Sequence, residues 1–358
     1  MSQKWKSNCL KFSSVLIFLL FLQVGFAQSK GRKNDKEFGL ERFPGLDGMI
    51  SHPSSQKVLG KEFVTLIWRD TVVFKKEIGD FNAKTEAPLA GASQLLTTAL
   101  ILILVDEGKL SLDDKVIDFI PIYSTYGKNY ITLRHCLSHY TGIQGGQKLL
   151  EGKIESLETE AASYAKKEIQ TNPGTEFRYS NIGMMLAGRV AEVVMKKKFD
   201  QLIKQKLFNP MGMTRTTFST LDGSGINPAT GARSSAIDYV RFLAMLLNNG
   251  KFNNKQILSE GAIKEIRKIH ASIDAVRFAP KATTGLSYAL GGWAAEEKDG
   301  TATALAGNGL FGPYPVVDWC RGYAMIVLPK ELLDEQKNQP YLQMKGAVDE
   351  EVRSKCNE

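Results

Sequence analysis

The segment Leu95-Leu96-Thr97-Thr98-Ala99-Leu100-Ile101-Leu102-Ile103-Leu104-Val105 runs straight into Asp106-Glu107-Gly108-Lys109. It is apolar on every face apart from Thr97 and Thr98, which is the pattern of a helix buried all round. It also falls well short of the ~20 residues that cross a bilayer, so a protein core must enclose it. Gly108 suits the left-handed position just past a helix end and sets the stop.

Upstream lie two β-rich runs, Phe63-Val64-Thr65-Leu66-Ile67-Trp68 and Thr71-Val72-Val73-Phe74, with Arg69-Asp70 as a tight hairpin turn. Downstream, from about 110 to 285, the pattern is mostly helical and amphipathic, including 155–170, Gly183–Lys198 and Ala236–Asn249. Strand character returns in Tyr323-Ala324-Met325-Ile326-Val327-Leu328, and a polar helix around 343–355 closes the chain. No internal repeat interrupts this order. Strands, many helices, a strand and a helix describe an α/β (α+β) protein: a sheet built from both chain ends, with a mainly helical part inserted.

The 358 residues are 43% apolar, 23% charged and 9% aromatic, which excludes a disordered tail, a collagen-like fibre and a polytopic membrane protein. Lys4, Lys6 and Lys11 precede the apolar run Val15–Leu22 and the small-x-small pattern Gly25-Phe26-Ala27. That is a secretory signal peptide with cleavage after 27, too short in its apolar run for an anchor. Cys9 lies ahead of the apolar run and is not placed as a lipid-modified terminus. Without those three lysines the net charge falls from +8 to +5, too mild to argue for nucleic acid. Residues 28–40 are polar and charged and read as a leader. Of the remaining cysteines, Cys136 sits in an apolar pattern as a small buried hydrophobe. A Cys320–Cys356 bridge requires an oxidising compartment and is left open by the sequence.

Several phrases line up with one family. Val105 to Asp114 is followed by Ile131-Thr132-Leu133-Arg134-His135-Cys136-Leu137-Ser138-His139-Tyr140-Thr141-Gly142, then Pro173-Gly174, Tyr179-Ser180-Asn181, Asn209-Pro210-Met211-Gly212-Met213-Thr214 and Ala236-Ile237-Asp238. In order and spacing this resembles the serine β-lactamase and penicillin-binding-protein family, in its class C-like branch. The resemblance covers about 55–345 and implies a β-lactamase/transpeptidase-like fold, an antiparallel sheet flanked by helices. It divides the chain into a signal peptide (1–27), a leader or linker (28–54), the β-lactamase-related domain (55–345) and a C-terminal tail (346–358). Within the domain the sheet is expected at about 55–90 and 285–345, and the helical part at about 91–284.

The family's chemistry needs a Ser at the start of the buried helix and a Lys three residues later on the same face. A hydroxyl is a weak nucleophile until a neighbouring base takes its proton, and a desolvated Lys can do so. The Tyr of Tyr-x-Asn shares the proton, and a Lys/His-x-Gly strand motif supplies a positive wall. Counted back without a gap from Gly108 and Thr97, Gly91 falls on the Ser and Gln94 on the Lys. A gapped alternative makes Ser93 the nucleophile, but Leu96 then takes the Lys place. That register also shortens the helix by ~3 Å and turns Ser93 by ~200° relative to the pocket. Tyr179 and Asn181 keep the second motif. In the third, Gly307 stands in the Lys/His place and Gly309 fits the glycine.

The expectation is therefore an exported, catalytically degenerate serine hydrolase homologue, periplasmic or secreted. It at most binds an acyl, peptide or glycan ligand in the vestigial cleft, through Tyr179, Asn181 and backbone donors near Gly91 and Phe311. The alternative is an active atypical hydrolase using Ser93 with Tyr179, which requires Ser93 to face the cleft. A third reading is a scaffold whose cleft is filled by Leu310, Phe311 and Tyr314. No cofactor, nucleic acid or stable membrane anchor after cleavage is expected. Tyr179 and Asn181 have a purely structural alternative as a packed ring and a backbone-bonding amide. His135 and His139, four apart, lack a third ligand for a metal. Asp113, Asp114 and Asp238 read as capping or turn acids, and Asp222-Gly223-Ser224-Gly225 as a turn-rich loop.

Overall fold

The computed structural model describes residues 41–145, 153–220, 222–307, 310–335 and 339–356. The signal peptide and residues 28–40 lie outside them. Seven strands form one antiparallel sheet: β1 (Phe63–Arg69), β2 (Thr71–Ile78), β3 (Ser287–Tyr288), β4 (Trp293–Lys298), β5 (Thr301–Ala306), β6 (Tyr314–Asp318) and β7 (Tyr323–Pro329). Their spatial order is β3-β4-β5-β6-β7-β1-β2. The two chain ends meet where β1 pairs with β7, Leu66 opposite Ile326. The β1–β2 hairpin turns at Asp70, whose φ of 64° is the left-handed conformation a tight turn needs.

Side chains alternate across a strand, and here both faces are covered. Ala324, Ile326 and Leu328 of β7, with Val64 and Leu66 of β1, join the core shared with the helical part. Tyr323, Met325 and Val327, with Phe63 and Ile67, face a second core under two further helices, α1 (Pro44–Ser51) and α6 (Gln339–Glu351). Coverage on both sides explains why these strands read as continuous apolar runs rather than as alternation.

The inserted part holds α2 (Ser93–Asp106), α3 (Leu157–Ala165), α4 (Ile182–Met195) and α5 (Ala236–Leu247). In α2 every residue from Ser93 to Leu104 is buried, and Gly108 follows with φ 66°. Cys136 is a buried free thiol, and Cys320 and Cys356 form a disulfide.

Two boundaries need correction. Residues 44–51, assigned to the leader, are α1: Phe43, Leu46 and Ile50 recur at helical spacing and are buried. Residues 55–59, assigned to the sheet, are a short helix, and α6 runs across the boundary drawn at 345.

Lys345 on α6 is 3% exposed. Its ammonium donates to Glu296 (2.5 Å), Asp349 (2.6 Å) and Asp318 (3.0 Å). Arg321 also meets Glu296 and Asp318, at 2.9 and 3.0 Å. Burial works against the ammonium, but Asp318, Asp349 and Glu296 outweigh it and hold its pKa above the usual lysine value. Lys345→Met removes one cation from three converging carboxylates, so a loss of about 3–5 kcal/mol is expected in urea unfolding. A change under ~1 kcal/mol would mean that the pairs are solvent-screened.

Candidate functional site

The N-terminus of α2 starts after a turn in which Ala90 takes φ 45°, a strained conformation for a residue with a side chain. Gly91 follows in a single 3₁₀ turn, and Tyr239 from α5 secures it by donating to the Ala92 carbonyl at 2.8 Å. Ser93 is fully buried and its Oγ accepts the Ala232 N–H at 3.1 Å. Gln94, one residue on, donates from Nε2 to the Tyr179 hydroxyl at 2.9 Å, with both side chains buried. The ungapped register thus has a geometric counterpart, since the residue beside the tyrosine is Gln94.

Tyr179-Ser180-Asn181 leads into α4, whose start lies so close to the short helix Leu133–Leu137 that a side chain at Gly183 would collide with the Cys136 carbonyl. That close approach sets where the tyrosine stands. Its ring rests against His139 (centroids 4.4 Å) and Trp293 (5.8 Å), in a cluster completed by Phe177 and Tyr288. His139 is buried; its Nδ1 accepts the Ser180 N–H at 3.4 Å, which leaves Nε2–H to face the Tyr288 hydroxyl at 3.0 Å. Burial pushes its pKa from 6.5 down to about 3, so the ring is neutral. His135 is engaged elsewhere, its Nδ1 accepting the Thr132 N–H at 3.3 Å in a capping box. The two histidines therefore do not converge as a ligand pair.

Gly91 and Gly307 line the same recess, together with Leu95, Leu243, Leu305 and Pro315. Its volume is about 20 Å³, room for a single water. The Gly307 N–H is engaged by the Pro315 carbonyl at 2.8 Å. A Cβ at Gly307 would lie 2.6 Å from Pro315 Cδ, so a side chain there requires Pro315 to shift. Gly309 lies outside the described residues. Of the expected fillers Leu310, Phe311 and Tyr314, the last is placed elsewhere by the packing. Tyr314 faces the other side of the sheet, stacked on Tyr341 at 4.9 Å, because alternation along β6 puts Pro315 and not Tyr314 toward the recess.

The remaining acids have local duties. Asp113 pairs with Arg134, Asp114 accepts the Ser111 N–H, and Asp238 accepts the Arg215 N–H. Asp222 organises its loop by accepting from Ser224.

A larger cavity of about 310 Å³ lies on the other flank of the motif, lined by Tyr179 and Ser180 with Gln144, Gln170, Arg178 and Phe278. Sequence reasoning missed it, as it missed Pro315. Its walls come from segments more than a hundred residues apart, and no periodicity marks any of them.

An antiparallel sheet joined from both ends, an inserted helical part and a buried helix opening beside Tyr-x-Asn define a β-lactamase/transpeptidase-like fold. The family model described as Beta-lactamase matches residues 63–343, and the chain belongs to that family. A structure from Bacteroides dorei DSM 17855 described as a beta-lactamase candidate aligns with TM-score 0.76 and 26% identity, covering 87% of this chain and 98% of that one. EstCE1, titled a hydrolase with promiscuous acyltransferase activity, shares the fold at TM-score 0.71 and 19% identity, over 85% and 97% of the two chains. Protein flp of Staphylococcus aureus (strain N315) is 25% identical over 200 residues, 52% of this chain and 40% of that protein. Beta-lactamase-like protein 4 of Dictyostelium discoideum is 26% identical over 252 residues, 62% and 42% of the two. The chain thus spans about two fifths of the length of these curated relatives.

Two outcomes follow. Gly307→Ala overpacks Pro315 and is expected to cost about 1–3 kcal/mol, part of which Pro315→Ala restores. If Gly307→Ala unfolds at the same urea concentration as the parent, the recess is slack. The second concerns acid. The unfolded His139 titrates near ~6.5 and the folded one near 3, so the unfolded chain binds the extra proton in that window. Stability falls as pH drops through it, and His139→Gln flattens that slope. Equal slopes for the two proteins would show an imidazole that titrates freely.

Proposed function

We propose that this chain is an exported β-lactamase-family protein that performs no Ser–Lys acyl transfer. The supporting observation is the buried Gln94–Tyr179 hydrogen bond at 2.9 Å. It puts a carboxamide where the family's chemistry needs an amine, and a carboxamide takes no proton at neutral pH. Gly91 offers no nucleophile beside it. Ser93, the alternative, holds its Oγ on the Ala232 N–H, in the wall and away from the recess. Loss of a nucleophile costs a serine hydrolase on the order of 10⁶-fold in turnover.

Export is supported by the basic-then-apolar start of the chain and by the Cys320–Cys356 disulfide, which belongs to an oxidising compartment. A recess of about 20 Å³ cannot enclose an acyl group. Ligand binding therefore belongs on the Tyr179–Ser180 flank, and the backbone near Gly91 and Phe311 has no part in it.

The test is covalent. The mature protein, incubated with a fluorophosphonate and separately with a penicillin, is expected to keep its intact mass. An adduct mapped to Ser93, or to any other hydroxyl, would overturn the proposal. Gly91 is only half-buried, so Gly91→Ser combined with Gln94→Lys restores a reachable nucleophile with its base and is expected to gain the fluorophosphonate adduct.

A further inference from the structure

We infer that the cavity of about 310 Å³ beside Tyr179 is a binding site for one neutral sugar ring of a glycan. This rests on the non-hydrolytic reading above, in that the ring is held and not cleaved. The size suits it: the cavity lies at the small end of the ~300–1,000 Å³ range of ligand pockets.

The lining chemistry selects the class. Ile143 and Ile169 face each other in an antiparallel bridge. Alternation therefore turns Gln144 and Gln170 to the opposite face, where both line the cavity. Neither carboxamide has a side-chain partner among the described residues, nor has the Ser180 hydroxyl. A primary amide presents a donor and an acceptor side by side, and so do adjacent ring hydroxyls, which makes paired hydrogen bonds the natural fit. Arg178 adds a planar fork of donors on the same wall. Phe278, 40% exposed, offers an apolar ring against which the C–H face of a sugar can lie.

Two other ligand classes fit less well. A peptide is read through free backbone groups at a strand edge. Here the lining backbone is already engaged: Gln144 N–H with Glu168 O, Gln170 N–H with Gly142 O, Arg178 N–H with His139 O and Tyr179 N–H with Phe278 O. A carboxylate ligand would need an uncompensated cation, but Arg178 pairs with Glu176 at 3.3 Å. What remains available is carried by side chains, and its one charge, on Arg178, is already offset by Glu176.

The experiment is saturation-transfer NMR on the purified mature protein. The probes are glucose, galactose, mannose, N-acetylglucosamine, glucuronate and N-acetyl-dialanine amide, each titrated to about 50 mM, the range of weak single-ring binding. At least one neutral sugar is expected to show ring-proton transfer. Gln170→Leu and Phe278→Ala, both at exposed positions, should each weaken it ~10-fold or more with the thermal midpoint unchanged. Transfer to the dipeptide or glucuronate alone, transfer to none, or unweakened sugar binding in both variants overturns the inference. The fluorophosphonate mass measurement on the same sample keeps the two readings apart. An adduct removes the non-hydrolytic reading whatever the sugars do, and silence from the sugars leaves that reading untouched.

Discussion

Enclosure of α2 is the constraint from which the rest of the molecule follows. Twelve consecutive residues, Ser93 to Leu104, are buried, so the helix needs neighbours around its whole circumference. Fully burying each Leu or Ile side chain contributes about 1.5–3 kcal/mol. Its main neighbours are helical, above all α4, and that contact sets where residue 94 meets Tyr179; α5 in turn docks the inserted part onto β1, β6 and β7 of the sheet.

That burial also decides which residues position 94 tolerates. An ammonium there is enclosed and must be offset by nearby acceptors, at a desolvation penalty of several kcal/mol. A carboxamide needs only one good partner to be satisfied, and the Tyr179 hydroxyl is that partner. A carboxamide at 94 brings no charge into the core and leaves no polar group stranded. Glycine at 91 suits the 3₁₀ turn after the strained Ala90.

Much of this was legible in the chain, and the limits are physical. The buried helix, its stop at Gly108 and the Asp70 hairpin depend on local chemistry, so short windows contain them. Gly91 and Gln94 were assigned by counting back from Gly108; the helix carries that count as far as Ser93, and Gly91 lies beyond it in the 3₁₀ turn. Strand order was beyond reach, because β1 finds β7 across more than two hundred residues and no local signal names a partner. Helix α1 was read as leader because Pro44 and the polar residues around it masked three apolar positions that matter only once α6 lies against them. Asp114 makes the short-range turn bond its sequence context suggests, whereas Asp113 and Asp238, also read as capping or turn acids, meet Arg134 and the Arg215 N–H more than twenty residues away. The 310 Å³ cavity had no signature at all, being an arrangement of surfaces.

The two flanks of Tyr179 differ in kind, and one physical rule explains both. On the Gly307 side the recess carries no charged side chain, and the apolar neighbours Leu305 and Pro315 narrow it to about 20 Å³. A small recess is favoured there, since a void forfeits its contacts and a solvated pocket with no charge to hydrate gains little. On the Ser180 side, the carboxamides of Gln144 and Gln170 and the guanidinium of Arg178 cannot be buried against one another without leaving donors unsatisfied. Such groups keep a cavity open and wet until a ligand with matching hydrogen bonds replaces the water. A narrow recess where the lining is apolar and an open cavity where it is polar are two results of one desolvation balance. Tyr179, packed on His139 and Trp293, is the rigid wall between them.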